Sequence, residues 1–255
     1  MKLNKINERY SMIGAPVMLS GQDLYTSDTV KNHPIGALGF SVDGKMFRYA
    51  LNGGAALVKG NLLQESAEDT TYENMAIGTA AVAGQNYLQV TNGTATITSE
   101  QFKDGSISVY TAGTVALGDE YTITGVTGTL TTGGALQVSL DRPVRYAYTT
   151  SAKVNMKRSP WSGIIQYPAT TPTGMPVGVA VYELPLGTYG WVQSHGVGTA
   201  LSDNSTFAVG SQLSPSLATA GAVGVNVAGT THGIVGWARQ AAASTHGISI
   251  FLQID

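Results

Sequence analysis

A two-residue rhythm of apolar side chains, broken by glycine-containing pairs, is the feature that most constrains this chain. Near the C-terminus Ile248, Ile250, Leu252 and Ile254 alternate with Ser249, Phe251, Gln253 and Asp255. Leu136, Val138 and Leu140 share one phase, as do Ile107 with Val109 and Tyr121 with Ile123. Successive side chains of a strand point to opposite faces, so this spacing gives a strand one apolar side, whereas a helix would scatter it. Between the runs stand Asp43-Gly44, Asn52-Gly53, Asn92-Gly93 and Asp104-Gly105, residue types that tolerate the positive φ of tight hairpins. The chain is expected to be all-β.

Short phrases recur. An aliphatic residue, Gly, any residue, then Ala or Leu occurs at Ile35–Leu38, Ile77–Ala80, Val177–Ala180 and Val235–Ala238, each followed by a turn and a second strand. The run from Gly54 to Leu63 has an echo in the run that starts at Gly198. Small residues at close strand approaches and apolar residues facing a core make this a packing pattern. Pro160, Pro168, Pro172 and Pro176 interrupt the rhythm and predict extended loop. The expected division is an extended N-terminal arm over 1–34, a β core built from 35–76 and 166–255, and an inserted β-rich domain over 77–165. The arm, polar and ending at Pro34, is expected to be mobile and to order against a neighbouring molecule by strand addition.

Charge narrows the function. Lys plus Arg number 14 against 16 Asp plus Glu, so no net field gathers polyanions and no nucleic-acid partner is expected. Charged residues are 12% of the chain, and from Leu184 onward only Asp203, Arg239 and Asp255 carry formal charge. A surface so poor in charge is either covered by other subunits or kept wet by Ser, Thr and Asn. Arg142, Arg145, Lys153, Lys157 and Arg158 gather against the single Asp141, either as an acidic-partner contact or as a solvated run. No apolar stretch approaches a membrane span, the N-terminus reads as no signal peptide, and no membrane partner is expected.

The chemistry-bearing residues form no catalytic constellation in the sequence. Cysteine is absent, which removes thiolate ligands and nucleophiles. His33, His195, His232 and His246 make no paired metal-ligand spacing, and no serine sits in a nucleophile elbow. The acidic pairs Glu68-Asp69 and Asp119-Glu120 are adjacent residues, which in a strand face opposite ways. No catalytic residue, cofactor or metal is expected, and the chain reads as a non-enzyme.

Several phrases are similar to those of a known family. Gly44–Gly53 with its Phe-Arg-Tyr-Ala, Gly54–Leu62, Val177–Gln193 and the closing aliphatic strand resemble head decoration (cement) proteins among the virion structural proteins of tailed bacteriophages. The resemblance is strongest over about 35–63 and 175–254. It implies a β-sandwich or β-barrel core of the β-tulip kind and a non-enzymatic role on the virion's capsid exterior, after synthesis in the host cytoplasm. The implied partners are the major capsid protein and neighbouring copies in a homotrimer, with the expanded head stabilised by binding. An alternative is a tail, fibre or vertex component that binds a host-surface glycan or receptor through Tyr110, Tyr146 or Tyr148. A carbohydrate-active enzyme using Glu68, Asp69, Asp119 and Glu120 ranks third.

Overall fold

The alternating runs become strands in the computed structural model, which describes residues 16–93, 95–111, 117–227 and 233–255. Ile248, Ile250 and Leu252 are fully buried, as are Leu136, Val138, Ile107, Tyr121 and Ile123. Burying each such side chain contributes about 1.5–3 kcal/mol. The chain is all-β, and it divides into two units, residues up to 67 with 160–255, and residues 68–159.

Unit 1 is a tandem of two closed barrels. Its strands are β1 (Val17–Met18), β2 (Leu38–Phe40), β3 (Met46–Asn52) and β4 (Leu62–Gln64), then, after the excursion into unit 2, β11 (Ser162–Gln166), β12 (Pro176–Ala180) and β13 (Tyr189–Ser202). The chain continues through β14 (Gln212–Pro215), β15 (Ala222–Val225), β16 (Gly236–Ala238) and β17 (Gly247–Gln253). In the first barrel, β3 runs parallel to β11, β11 antiparallel to β4, β4 to β12, β12 to β13, and β13 closes back on β3. In the second, the far half of β13 runs parallel to β15, β15 antiparallel to β14, β14 to β16, β16 to β17, and β17 closes on β13. The order of pairing and the directions are the same in both. The 14-residue β13 is the last strand of one barrel and the first of the next. It shifts register between Gln193 and His195, and Gly196, at φ +90, kinks it at the crossing.

The registers also coincide. Phe47 pairs with Gln193 as Val197 pairs with Phe251, and Leu62 pairs with Val179 as Gln212 pairs with Trp237. Leu57 bridges Leu184 inside the first core, and Phe207 bridges Ala242 inside the second. Each first partner is followed three residues on by a glycine at positive φ, Gly60 at +86 and Gly210 at +84, in the pattern of a type II turn. Gly60 N–H donates to Ala180 O and Gly210 N–H to Ala238 O. Equivalent positions lie 150 residues apart before the excursion (Gly60 with Gly210), 59 apart on the strands just after it (Ile165 with Gly224) and 58 apart from β12 onward (Gly178 with Gly236), as the paired registers require. The difference, 91 to 92, matches the 92-residue span Glu68–Ser159 to within one residue. Unit 2 therefore occupies the place held in the second barrel by the short turn Ser216–Gly221, where Ser216 Oγ accepts from the N–H groups of Ala218 and Thr219.

Two of the four recurring phrases, Val177–Ala180 and Val235–Ala238, are equivalent strands of the two barrels. Ile35–Leu38 leads into β2 and Ile77–Ala80 ends a strand of unit 2, so they are not copies of the same part. The proline-rich tract is not all loop. β11 lies within it, and Pro176 opens β12 at a register shift.

Unit 2 has its own core. A short 3₁₀ turn (Thr70–Tyr72) precedes β5 (Met75–Thr79) and β6 (Tyr87–Thr91), followed by β7 (Ser106–Thr111), β8 (Glu120–Gly128), β9 (Ala135–Leu140) and β10 (Lys153–Lys157). These six close into a barrel in the order β10, β5, β6, β9, β8, β7. The boundaries expected at 77 and 165 fall instead at 68 and 159, because β5 pairs with β10 inside unit 2 while β11 pairs with β3 and β4.

The arm needs a larger correction. Residues 1–15 lie outside the described residues. Beyond them Val17 and Leu19 are buried with Ile35, Phe47, Tyr49 and Trp191, and β1 runs parallel to β2. A four-residue helix, α1 (Gly21–Leu24), starts with a capping box between Ser20 and Asp23, and Asp28 bridges Tyr189. Residues 16–34 are a strap packed across the β3–β13 ribbon, not a free arm, because Ile35, Phe47, Tyr49 and Trp191 offer it aromatic and aliphatic surface.

Candidate functional site

The densest polar constellation lies in unit 2, at the start of β8. Asp119 precedes the strand, and Oδ2 of its carboxylate accepts from the hydroxyls of Tyr121 (3.3 Å) and Tyr148 (3.2 Å), which lie 3.1 Å from each other. The backbone N–H of Arg145 donates to the Tyr121 hydroxyl, and its guanidinium stands 4.0 Å from Asp119. Arg142 lies over the Tyr121 ring at 5.0 Å, donates to Asp141, and also bonds the carbonyl of Glu120. Burial pushes the Tyr148 hydroxyl well above the usual phenol range, and its bonding with Tyr121 and Asp119 adds to the effect. The three side chains tie the start of β8 to the segment before β10. Tyr148 is buried and cannot line an open groove; Tyr110 is exposed, and Tyr146 stacks under Arg145 at 5.6 Å.

The remaining acidic residues have separate partners. Glu68 and Glu73 both receive the Lys157 ammonium, which holds the Glu68 carboxyl below its ordinary range. Asp69 Oδ1 accepts from Thr71 N–H and caps the 3₁₀ turn. Arg158 rests 6.0 Å from the Phe102 ring centroid. The basic segment singled out in the sequence is thus largely engaged within unit 2: Arg142, Arg145 and Lys157 meet Asp141, Asp119, Glu68 and Glu73.

The histidines are dispersed. His33 packs against Tyr49 at 5.1 Å and Trp191 at 5.2 Å, and burial lowers its pKa against the opposing pull of Asp23 and Asp28. His195 sits edge-on to Phe251 at 5.3 Å, and His246 Nδ1 meets Ser244 Oγ at 3.1 Å. His232 lies outside the described residues. Among the described residues, no group of three His, Asp or Glu is placed to hold a metal ion. No helix among them is long and apolar enough to cross a membrane.

What unit 1 offers is surface. Its type II turns carry aliphatic residues at their tips: Val58 is 55% exposed, Leu186 66% and Val209 65%. Gly187 is at positive φ and its N–H donates to Asn52 O, matching the glycines of the other two turns. Turn tips are where polar residues are least costly, so an exposed aliphatic residue in each of three glycine turns forms a pattern. Leu217 and Ile234 add exposed apolar surface on the second barrel. Of that barrel's few charges, Asp203 is buried and accepts from Ser205 N–H, and Asp255 pairs with Arg48 at 2.7 Å. Comparison with protein-family models, curated proteins and solved structures returns no match for this chain. The charge-poor stretch was legible in the sequence; the turn tips were not, because only the paired register shows that the turns of Val58 and Val209 correspond, with the Leu186 turn across the Leu57–Leu184 bridge from the first.

Proposed function

We propose that this chain is a non-enzymatic virion structural protein that binds the outer surface of a phage capsid and stabilises the expanded head. The observation that carries the reading is the recurrence of exposed aliphatic tips on unit 1 beside a second barrel nearly free of unpaired charge. Such a surface suits wide, shallow contact with a protein lattice. Many weak contacts repeated over a shell sum to a large stabilisation, and a site present only in the expanded lattice shifts the head toward that state by mass action. The sequence resemblance to head decoration proteins supports the same reading. Under it, the partners are the major capsid protein and neighbouring copies in a homotrimer.

The alternative of a tail, fibre or vertex component draws on unit 2, a separate barrel placed at a turn that the second barrel of unit 1 closes with six residues, Ser216–Gly221. The deciding experiment is the copy number in purified particles, by quantitative mass spectrometry against the major capsid protein. Near-stoichiometric copies support lattice-wide decoration. A handful of copies per particle would shift the reading to the tail or vertex, and absence from the particle would end both.

A further inference from the structure

The two barrels of unit 1 present one corresponding row of outward side chains in two different states. In the first barrel the row crosses β3, β13, β12 and β4 as Phe47, Gln193, Val179 and Leu62, each paired with the next. All four are buried, at 1%, 4%, 1% and 0% exposure. The strap covers Phe47, which clusters with Val17, Leu19 and Ile35. The second barrel covers Val179 and Leu62, which join its core cluster, and the junction is sealed by backbone bonds from Leu62 N–H to Gly221 O and from Leu201 N–H to Gly60 O.

The matching row on the second barrel crosses β13, β17, β16 and β14 as Val197, Phe251, Trp237 and Gln212. Val197 is 38% exposed, Phe251 and Trp237 are half-buried, and Gln212 is exposed. His195 stands against Phe251 beside them. Among the described residues of unit 1, no segment plays the part that the strap and second barrel play for the first row. Charge at the margin includes Lys45 and Asp43, near the Gly196 kink, which pair with each other at 2.7 Å, and Arg239, two residues after Trp237. The row itself carries no formal charge, so its centre opposes no like charge when it meets an identical molecule. Its centre is a Trp–Phe pair, the residue types that dominate protein contacts.

We infer that the row Val197–Phe251–Trp237–Gln212 is a self-association face, occupied by a second copy of this chain. The occupant follows from continuity with the barrel–barrel junction inside the chain: where the first barrel is covered by another barrel of the same build, the second barrel repeats the receiving surface and leaves it open. This does not depend on the capsid reading, since it concerns the purified protein alone.

The test is sedimentation velocity on the full chain over a wide concentration range, with Val197→Arg and Trp237→Glu as the variants and Val82→Arg, an exposed turn residue of unit 2, as the control. Thermal melts establish that each variant folds, and Val197→Arg alters the most exposed apolar member of the row. The expected result is wild-type mass above the 26.5 kDa monomer. Val197→Arg should raise the dissociation constant at least roughly thirtyfold, the effect of a contact worth about 2 kcal/mol, and Val82→Arg should leave it unchanged. A monomeric wild type at every concentration overturns the inference, as does a folded Val197→Arg that associates normally. Either failure leaves the particle copy-number result standing on its own.

Discussion

Excising Glu68–Ser159 and joining Ala67 directly to Pro160 asks whether unit 2 is an insertion into a self-sufficient tandem. Gln64 pairs with Ile165, so direct joining leaves eight residues between them, 65–67 and 160–164. The second barrel spans the matching pair Ser214–Gly224 with nine, residues 215–223. The closure is therefore of a length the fold already uses. Shortening a loop of about 100 residues to 8 removes between three and four doublings of length, worth at most about 2 kcal/mol of closure entropy at ~0.6 kcal/mol per doubling. The gain should be smaller, because unit 2 draws its own ends together: Lys157 holds Glu68 and Glu73, and Val154 pairs with Met75. All three tryptophans, Trp161, Trp191 and Trp237, lie in unit 1, so their fluorescence reports that unit alone. In a urea titration the shortened chain should keep a cooperative fluorescence transition, with a stability between that of the full chain and about 2 kcal/mol above it. A missing transition, or a stability more than about 2 kcal/mol lower, would refute the claim that the barrels hold themselves together.

Four further outcomes are expected. Gly210→Ala and Gly60→Ala should each cost about 1–2 kcal/mol in the same titration, since both residues sit at positive φ; a neutral result at both would remove the turn assignment. Gln193 Nε2 donates to His195 O and Val197 O, so Gln193→Leu should cost about 1 kcal/mol by leaving partly buried carbonyls without this donor, and an unchanged urea midpoint would show those bonds to be idle. Asn92 Nδ2 reaches the carbonyls of Ala95, Leu130 and Thr131, so Asn92→Leu should lower unit 2 stability by about 1–3 kcal/mol in circular dichroism while sparing the tryptophan transition; equal shifts in both would deny the units their independence. His33 has a folded pKa below its unfolded value, so it contributes stability above about pH 6.5 that is lost as pH falls through the folded pKa. Melts from pH 8 to 5 should fall more steeply for wild type than for His33→Gln, and parallel slopes would count against the buried histidine.

How much of this was legible in the sequence depends on distance along the chain. The faces of β7, β8, β9 and β17 followed from the period-two rhythm, because alternation is a local property of a strand. Asp43-Gly44 correctly marked the β2–β3 hairpin, with Gly44 at φ +80. The same reasoning failed at Asn52 and Asn92, which are buried amides feeding carbonyls of distant segments, Leu184 and Leu130 among them. A dipeptide cannot show that its side chain serves a strand more than a hundred residues away. The equivalence of β12 and β16 was audible as a repeated phrase, yet the doubled barrel was hidden by the 92 residues that separate the two spacings. The strap was misread for a related reason. Most of its residues are polar, and the two apolar ones that anchor it, Val17 and Leu19, meet Phe47, Tyr49 and Trp191 from elsewhere in the chain.

The strand β13 has a consequence for how force and heat pass through unit 1. One unbroken segment from Tyr189 to Ser202 is a stave in both barrels, bonded along its first half to β3 and β12 and along its second to β17 and β15. There is no linker for the pair to hinge on and no seam at which one barrel can be peeled away whole. To open either ring is to strip one side of the stave that the other ring needs. Tension applied across the pair is carried by covalent backbone at its centre, with hydrogen bonds loaded in shear on both sides. The two barrels should yield together, as one mechanical element.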